Sequence, residues 1–417
     1  MFSFKSLNNI EMKILLGITG GIAAYKSLEL TRLFIKAGHQ VQVVMTAGAK
    51  AFIQPLSFQA LSGNPVRDSL FDCNQEAGMG HIELARWADQ IVIAPASAET
   101  LAKLRMGRAD DLLTTLCLAT DKPMMVVPAM NRLMWSNEAT QENVQILKQR
   151  GFDVLPPAKG EQACGEVGVG RMPEPQVIFD QVKQSQYDRE QLSTLLLQGK
   201  EFWQDKTVLI TAGPTFEDID PVRYIGNRSS GKMGFALAEA AQKLGAKVTL
   251  ITGPVHISSP PYIDRINVRT ADQMFHAVQQ HYEGKDCFIS AAAVADFKVV
   301  EKSVQKLKKQ AQKGELSLTL VENVDIVAWV ARQPNKPFVV GFAAETDHVL
   351  KYAKAKLIRK NLDAIVANEV GDGAKGFESD RNSVTLLTKN RHQSFDDMPK
   401  KLLGFQLLNA IQNLRSD

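Results

Sequence analysis

Lys13-Ile14-Leu15-Leu16-Gly17-Ile18-Thr19-Gly20-Gly21 is a near-continuous apolar run that ends in a glycine turn, and a helix-period stretch follows it. The same alternation continues through Gln40–Thr46 (QVQVVMT), Gln90–Ala96 (QIVIAPA) and Met124–Met130 (MMVVPAM). Strands that are apolar on both sides and separated by helices require a parallel sheet covered on both faces. That is the doubly wound α/β pattern. The pattern then restarts at Thr207–Gly213 (TVLITAG) and runs through Lys247–Gly253, Cys287–Ala293, Phe338–Ala344 and Ala364–Glu369.

Each set contains the same helix-to-strand joint. Lys36-Ala37-Gly38-His39-Gln40 in the first matches Lys243-Leu244-Gly245-Ala246-Lys247 in the second, with glycine where a helix C-terminus needs positive φ. Shared fold geometry alone can produce that likeness. The reading is two doubly wound, Rossmann-like parallel-sheet domains in tandem. A chain of 417 residues has length for two or three domains. A Gly-rich loop, Pro157–Gly170, and a polar helical stretch near Gln176–Gln204 separate the strand sets, so the boundary is expected near residue 190, giving domains 1–190 and 191–417.

Composition narrows the class. With 45% hydrophobic and 23% charged residues, disordered and collagen-like chains are excluded. The net charge of +4 gives no case for nucleic acid or a membrane surface as partner. Residues 1–200 carry 20 basic and 20 acidic side chains, so the whole excess lies in the second half. Cys73, Cys117, Cys164 and Cys287 show no CxxC spacing, which argues against a zinc site or a disulfide framework. Residues 1–11 read as an extension without a signal peptide's apolar run, no 18-residue apolar stretch occurs, and a cytoplasmic location is expected.

In the first half, Gly20, Gly21 and Ile22 open a helix whose free N–H groups can hold phosphate. The turn is not GxGxxG. Thr46 ends the next strand, and Ser97 and Thr100 follow the third, at the carboxyl edge where open α/β sheets bind ligands. Taken singly, His81 reads as a helix-start histidine, Asn131 in Pro128-Ala129-Met130-Asn131-Arg132-Leu133-Met134-Trp135 as a capping residue, and Cys164 in Ala163-Cys164-Gly165-Glu166 as an idle thiol.

Together these segments resemble the flavin-containing cysteine decarboxylase family. The resemblance implies that the glycine turn and the Pro95-Ala96-Ser97-Ala98-Glu99-Thr100 segment hold FMN, that His81 is the catalytic base, and that Asn131 grips the substrate carboxylate. Cys164 would lie in a flexible substrate clamp. Glu99 stands where the family's PASANT pattern has asparagine, and an ionised carboxylate accepts but does not donate. The chemistry requires an electron sink. Hydride transfer from Cβ to flavin, with His81 assisting thiol deprotonation, gives a thioaldehyde; loss of CO2 then leaves an enethiolate. Return of hydride and a proton from Cys164 complete the product. A free thiol with a pKa of about 8.5 keeps that proton at neutral pH.

In the second half, Gly226-Asn227-Arg228-Ser229-Ser230-Gly231-Lys232-Met233 spells GxxxxGK, but Met233 occupies the magnesium-ligating Ser/Thr position and no strand is expected to run into it. A P-loop is therefore rejected. The longer stretch Ala212–Gly234 resembles the phosphopantothenate-cysteine ligase family, as do Ala291–Phe297, Lys306–Lys309, Asn323–Val327, Gly341–Thr346, and Lys356 with Lys360. The resemblance implies that CTP activates the carboxylate of phosphopantothenate as an acyl-cytidylate, from which the amine of L-cysteine displaces CMP. It implies nucleotide contacts at Ala292, Asp296, Lys306, Asp325, Ile326, Val327, Phe342, Lys356 and Lys360, with Mg2+ at the triphosphate through unknown ligands, and Asn227 on the acyl-nucleotide. Without those motifs, Lys306, Lys308 and Lys309 read as a solvated charge run.

The joined expectation is a bifunctional coenzyme A biosynthesis enzyme whose ligase makes phosphopantothenoylcysteine and whose decarboxylase consumes it. The resemblance implies trimeric decarboxylases and dimeric ligase halves, so a homo-oligomer, and a dodecamer satisfies both symmetries. A flavin-binding regulatory protein without turnover would be favoured by loss of His81 or Cys164, and both are present. A pyridine-nucleotide oxidoreductase should show GxGxxG, which is lacking.

Overall fold

The apolar runs become strands in a computed structural model that describes residues 11–70, 80–307, 316–345, 349–369 and 379–416. Cys73, Lys308, Lys309 and Thr346 fall outside the described residues. The chain divides into two units, Met1–Tyr187 and Asp188–Asp417, with the division inside the helix Pro175–Trp203.

In the first unit, β1 (Lys13–Ile18), β2 (Gln40–Met45), β3 (Gln90–Ala96), β4 (Met124–Pro128) and β5 (Asp153–Val154) form one parallel sheet in the order β2-β1-β3-β4-β5. Alternation along β1 feeds two cores. Ile14, Leu16 and Ile18 pack with Val41, Val43, Val92 and Val127 on one face, while Leu15 joins Val44, Ile91, Ile93 and Val126 on the other. Each fully buried Leu or Ile stabilises by about 1.5–3 kcal/mol. The strand order reverses between β1 and β3, so the carboxyl ends of those strands border the crevice where such sheets take ligands.

The Pro157–Gly170 segment is not an open loop. It forms an antiparallel hairpin of β6 (Ala158–Glu161) and β7 (Val167–Arg171), which corrects the sequence reading. Gly165 (φ +81°) makes the turn, with its N–H donating to the Gln162 carbonyl.

The second unit holds β8 (Thr207–Ala212), β9 (Phe216–Asp218), β10 (Tyr224–Gly226), β11 (Lys247–Thr252), β12 (Asp264–Asn267), β13 (Cys287–Ser290), β14 (Phe297–Val299), β15 (Leu320–Glu322), β16 (Phe338–Glu345), β17 (Ala364–Glu369), β18 (Arg381–Leu387) and β19 (His392–Pro399). Its main sheet runs β12-β11-β8-β13-β16-β17-β18-β19. The six strands from β12 to β17 are parallel in the doubly wound order 3-2-1-4-5-6, with the reversal between β8 and β13. An antiparallel pair, β18 and β19, extends that parallel sheet at one edge and was not foreseen.

The two matched joints fold alike. Gly38 and Gly245 take φ of +84° and +93°. In each, the glycine N–H donates three residues back (Ile35, Gln242) and the next N–H five back (Phe34, Ala241), which is a Schellman cap.

Candidate functional site

In the first unit the site gathers at the carboxyl ends of β1 and β3. Thr19 ties them together: its Oγ1 donates to the Pro95 carbonyl at 2.8 Å and accepts from Ser97 N–H at 2.9 Å. Gly20 packs against the backbone of Gly48, which a Cβ would approach to 3.1 Å, whereas a Cβ on Gly21 would enter open space. The turn therefore leaves a cradle that any side chain would fill. Ile22 begins a short 3₁₀ turn, Ile22–Tyr25, and Thr46 Oγ1 caps the next helix by accepting from Ala49 N–H. Ser97 Oγ caps the helix Ala98–Met106 and sits 3.0 Å from Thr100 Oγ1. Glu99 is exposed in the first turn of that helix, where its charge suits the positive helix end.

His81 is the first residue of the helix His81–Trp87, and its Nδ1 is buried without a hydrogen-bond partner. An orphaned buried ring nitrogen costs free energy unless a ligand completes it. Asn131 caps the helix Arg132–Ser136 with Oδ1 on Leu133 N–H, while Nδ2 donates to Glu166 Oε2 at 3.0 Å and to Cys164 Sγ at 3.6 Å. Asn131 and Cys164, 33 residues apart, thus meet through the hairpin. Gln162 fastens it from the other side, bonding Arg132 N–H and the Met130 carbonyl, and Arg132 Nε also reaches Glu166. Thr19, Gln162 and Glu166 were missed as site residues because each is chemically ordinary until the fold brings its partners close.

Cys164 is exposed, whereas burial pushes the thiols of Cys117 and Cys287 up to about 12. Among the described cysteines, only Cys164 is placed to exchange a proton with a ligand.

The second unit contains a cavity of about 700 Å³ at the carboxyl ends of β13 and β16, large enough for a nucleotide and part of a second substrate. Asn227, Ala292, Asp296, Asp325, Ile326, Val327, Phe342, Lys356 and Lys360 all line it. Asn227 Nδ2 donates to the Val294 carbonyl at 2.8 Å. Asp325 caps the helix Ile326–Ala331 through Oδ1, and its Oδ2 holds Lys360 Nζ at 2.9 Å. Asn323 and Asn368 also line the cavity, and each buries an Oδ1 without a partner, an acceptor open to a ligand donor.

Lys306 does not line this cavity. The backbone of the adjacent Leu307 is fastened by two hydrogen bonds: its N–H donates to Asp220 Oδ2 at 3.2 Å and its carbonyl accepts from Arg223 Nη2 at 2.9 Å. Asp220 is fully buried, and the Arg223 guanidinium, helped by the backbone N–H groups of Val222, Arg223 and Leu307, holds its carboxyl well below the usual range against the opposing effect of burial. The GxxxxGK stretch is preceded by a strand after all, β10, but in a two-stranded antiparallel ribbon and not the parallel sheet. Lys232 there pairs with Asp380 at 2.6 Å.

The fold defines a flavoprotein-type α/β unit joined to a second doubly wound α/β unit that holds a large cavity. Residues 4–186 match the family described as flavoprotein, and residues 203–414 match the DNA/pantothenate metabolism flavoprotein C-terminal domain. The chain is 51% identical to the coenzyme A biosynthesis bifunctional protein CoaBC of Vibrio parahaemolyticus serotype O3:K6, over 96% of this chain and 98% of that one. It is 48% identical to that of Escherichia coli K12, over 96% of each, and 42% identical to that of Bacillus subtilis 168, over 98% of each. The chain belongs to the family of the coenzyme A biosynthesis bifunctional proteins.

Proposed function

We propose that residues 1–190 decarboxylate phosphopantothenoylcysteine and residues 191–417 make it from phosphopantothenate and L-cysteine with CTP. The chain is an enzyme of coenzyme A biosynthesis carrying both activities. The observation that most supports the division of labour is that each unit has its own parallel sheet with its own strand-order reversal.

FMN suits the first crevice: the open space over Gly21 and the unpartnered His81 Nδ1 are what a bound planar cofactor and substrate would complete. Bound there, it supplies a reversible hydride acceptor. Gly20, Gly21, Ile22, Thr46, Ser97 and Thr100 would hold it. His81 takes the thiol proton of the substrate. Asn131 Nδ2, which now donates to Glu166, offers the same N–H to the substrate carboxylate. Cys164 Sγ stands beside that anchor and returns a proton after CO2 has left.

In the second crevice the substrate carboxylate attacks the α-phosphate of CTP, pyrophosphate leaves, and the amine of cysteine displaces CMP. Lys356 and Lys360 counter the charge of the phosphates, Phe342 and Val327 enclose the base side, and Asn227 orients the acyl-nucleotide. Catalysis of this kind is mainly positioning and charge neutralisation. Mg2+ is proposed to accompany the nucleotide and to help neutralise its phosphate charge. Among the described residues no helix is long and apolar enough to cross a membrane; the proposed setting is the cytoplasm and the proposed assembly a homo-oligomer, a dodecamer.

Supplying phosphopantothenate, cysteine and Mg2+ with CTP or ATP tests the nucleotide assignment. CMP release with CTP and little AMP release with ATP is expected; the reverse preference removes CTP from the account.

A further inference from the structure

The hairpin that carries Cys164 also carries a carboxylate, and it reaches the amide assigned to the carboxylate of the substrate. Glu166 Oε2 accepts from Asn131 Nδ2 at 3.0 Å and from Arg132 Nε at 3.2 Å, so two donors from neighbouring residues converge on one oxygen. Both donors are oriented by contacts other than Glu166. Asn131 Oδ1 is taken by Leu133 N–H at 2.8 Å, which turns Nδ2 toward the hairpin. Arg132 lies along the strand β7: a Cβ on Gly168 would come within 2.7 Å of Arg132 Cδ and 2.8 Å of Arg132 Cβ, so the glycine leaves room for the arginine stem.

The hairpin has fastenings that do not involve the Glu166 side chain. Gln162 bonds Arg132 N–H at 3.0 Å and the Met130 carbonyl at 3.2 Å, and the Gly170 carbonyl accepts from Met130 N–H at 2.9 Å. The Arg132–Glu166 pair itself stands partly in water, with side chains 42% and 39% exposed. Such pairs contribute little to stability, so an incoming anion can replace the glutamate at small cost. Asn131 Nδ2 also lies 3.6 Å from Cys164 Sγ, which sets a carboxylate held at this point beside the thiol assigned to return a proton.

We propose that Asn131 and Arg132 together form a two-donor carboxylate site, and that Glu166 occupies it as an internal stand-in until the carboxylate of the substrate displaces it. The inference rests on the decarboxylase reading and deepens it. Arg132 becomes a second substrate contact, whose charge favours the acid over its decarboxylated product. Loss of CO2 takes the ligand from both donors, Glu166 returns to them, and the product keeps no anchor at this point.

The test uses the full chain loaded with FMN and two unreactive ligands. One is phosphopantothenoylcysteine methylated on sulfur, which keeps the carboxylate and lacks the thiol proton; the other is phosphopantetheine methylated in the same way, which lacks the carboxylate. Binding is read from the shift in flavin absorbance, which reports the first unit alone. Glu166→Gln should bind the acid about fivefold more tightly, the scale of a part-exposed ion pair, and bind the decarboxylated ligand as before. Glu166→Ala, which leaves no acceptor, should tighten binding at least as much. Adding Arg132→Gln to Glu166→Gln should reverse the gain, whereas in a pair that merely supports the hairpin the second substitution has nothing left to break. Unchanged or weaker binding of the acid by both Glu166 variants, no further change on adding Arg132→Gln, or equal shifts for the two ligands overturn the proposal. An unsubstituted chain whose flavin responds to neither ligand would overturn the decarboxylase reading itself, and the carboxylate site with it.

Discussion

Cys164 shows how a residue acquires a role from its neighbours. In sequence it is one of four scattered thiols; in the fold it is exposed at a hairpin turn, 3.6 Å from the amide that would hold the substrate carboxylate. Cys164→Ser should therefore still release CO2 while slowing formation of the saturated product at least about 100-fold, the usual scale for loss of a positioned acid. Product analysis by mass spectrometry checks this, and undiminished phosphopantetheine would exclude the donor role. Asn227 makes the matching case in the other unit. Asn227→Asp places a carboxylate at the acyl-nucleotide and should accumulate acyl-cytidylate, detectable by quenching and chromatography, with the second half-reaction slowed about 100-fold. Lys306 belongs to the proposed ligase site through its motif, outside the residues that line the cavity. Asp220 and Arg223 hold the backbone of the adjacent Leu307 through hydrogen bonds that only the tertiary fold reveals.

At the scale of elements, the parallel strands were legible because burial on both faces leaves continuous apolar runs such as Lys13–Ile18 and Thr207–Ala212. The antiparallel strand β18 alternates buried and half-buried residues, and β19 is mostly exposed, so neither shows that signature. The hairpin carrying Cys164 was hidden for a similar reason: Ala158–Glu161 and Val167–Arg171 are short, glycine-containing and largely exposed. The glycine caps were readable because only a residue without Cβ takes positive φ cheaply. Gly245→Ala should destabilise the second unit by about 1–2 kcal/mol from that backbone cost alone, with further crowding against Gln204. Thermal unfolding measures it, and an unchanged midpoint would contradict the cap.

For the whole molecule, the two units should fail separately. His81→Ala is expected to abolish decarboxylation while leaving CMP production intact, and Asn227→Asp to do the reverse when phosphopantothenoylcysteine is supplied; parallel assays on the full chain would expose any shared site. Acid stability carries another signature. The Asp220 carboxyl is depressed in the folded state, so below the ordinary range near pH 4 the unfolded chain takes up the proton more readily. The stabilisation is complete above that range and is lost progressively as pH falls below it toward the depressed folded-state value. Glu217, raised by burial, works in the opposite direction. Asp220→Asn should lower the unfolding midpoint at neutral pH and flatten its decline toward acid; a parent-like acid profile would remove Asp220 as its source. The central claim is that one chain couples ligation to decarboxylation. Incubating it with phosphopantothenate, CTP, Mg2+ and cysteine labelled at the carboxyl carbon should release labelled CO2 only when both CTP and phosphopantothenate are present, with CMP formed in equal amount. Labelled CO2 without nucleotide, or CMP without labelled CO2, would contradict it.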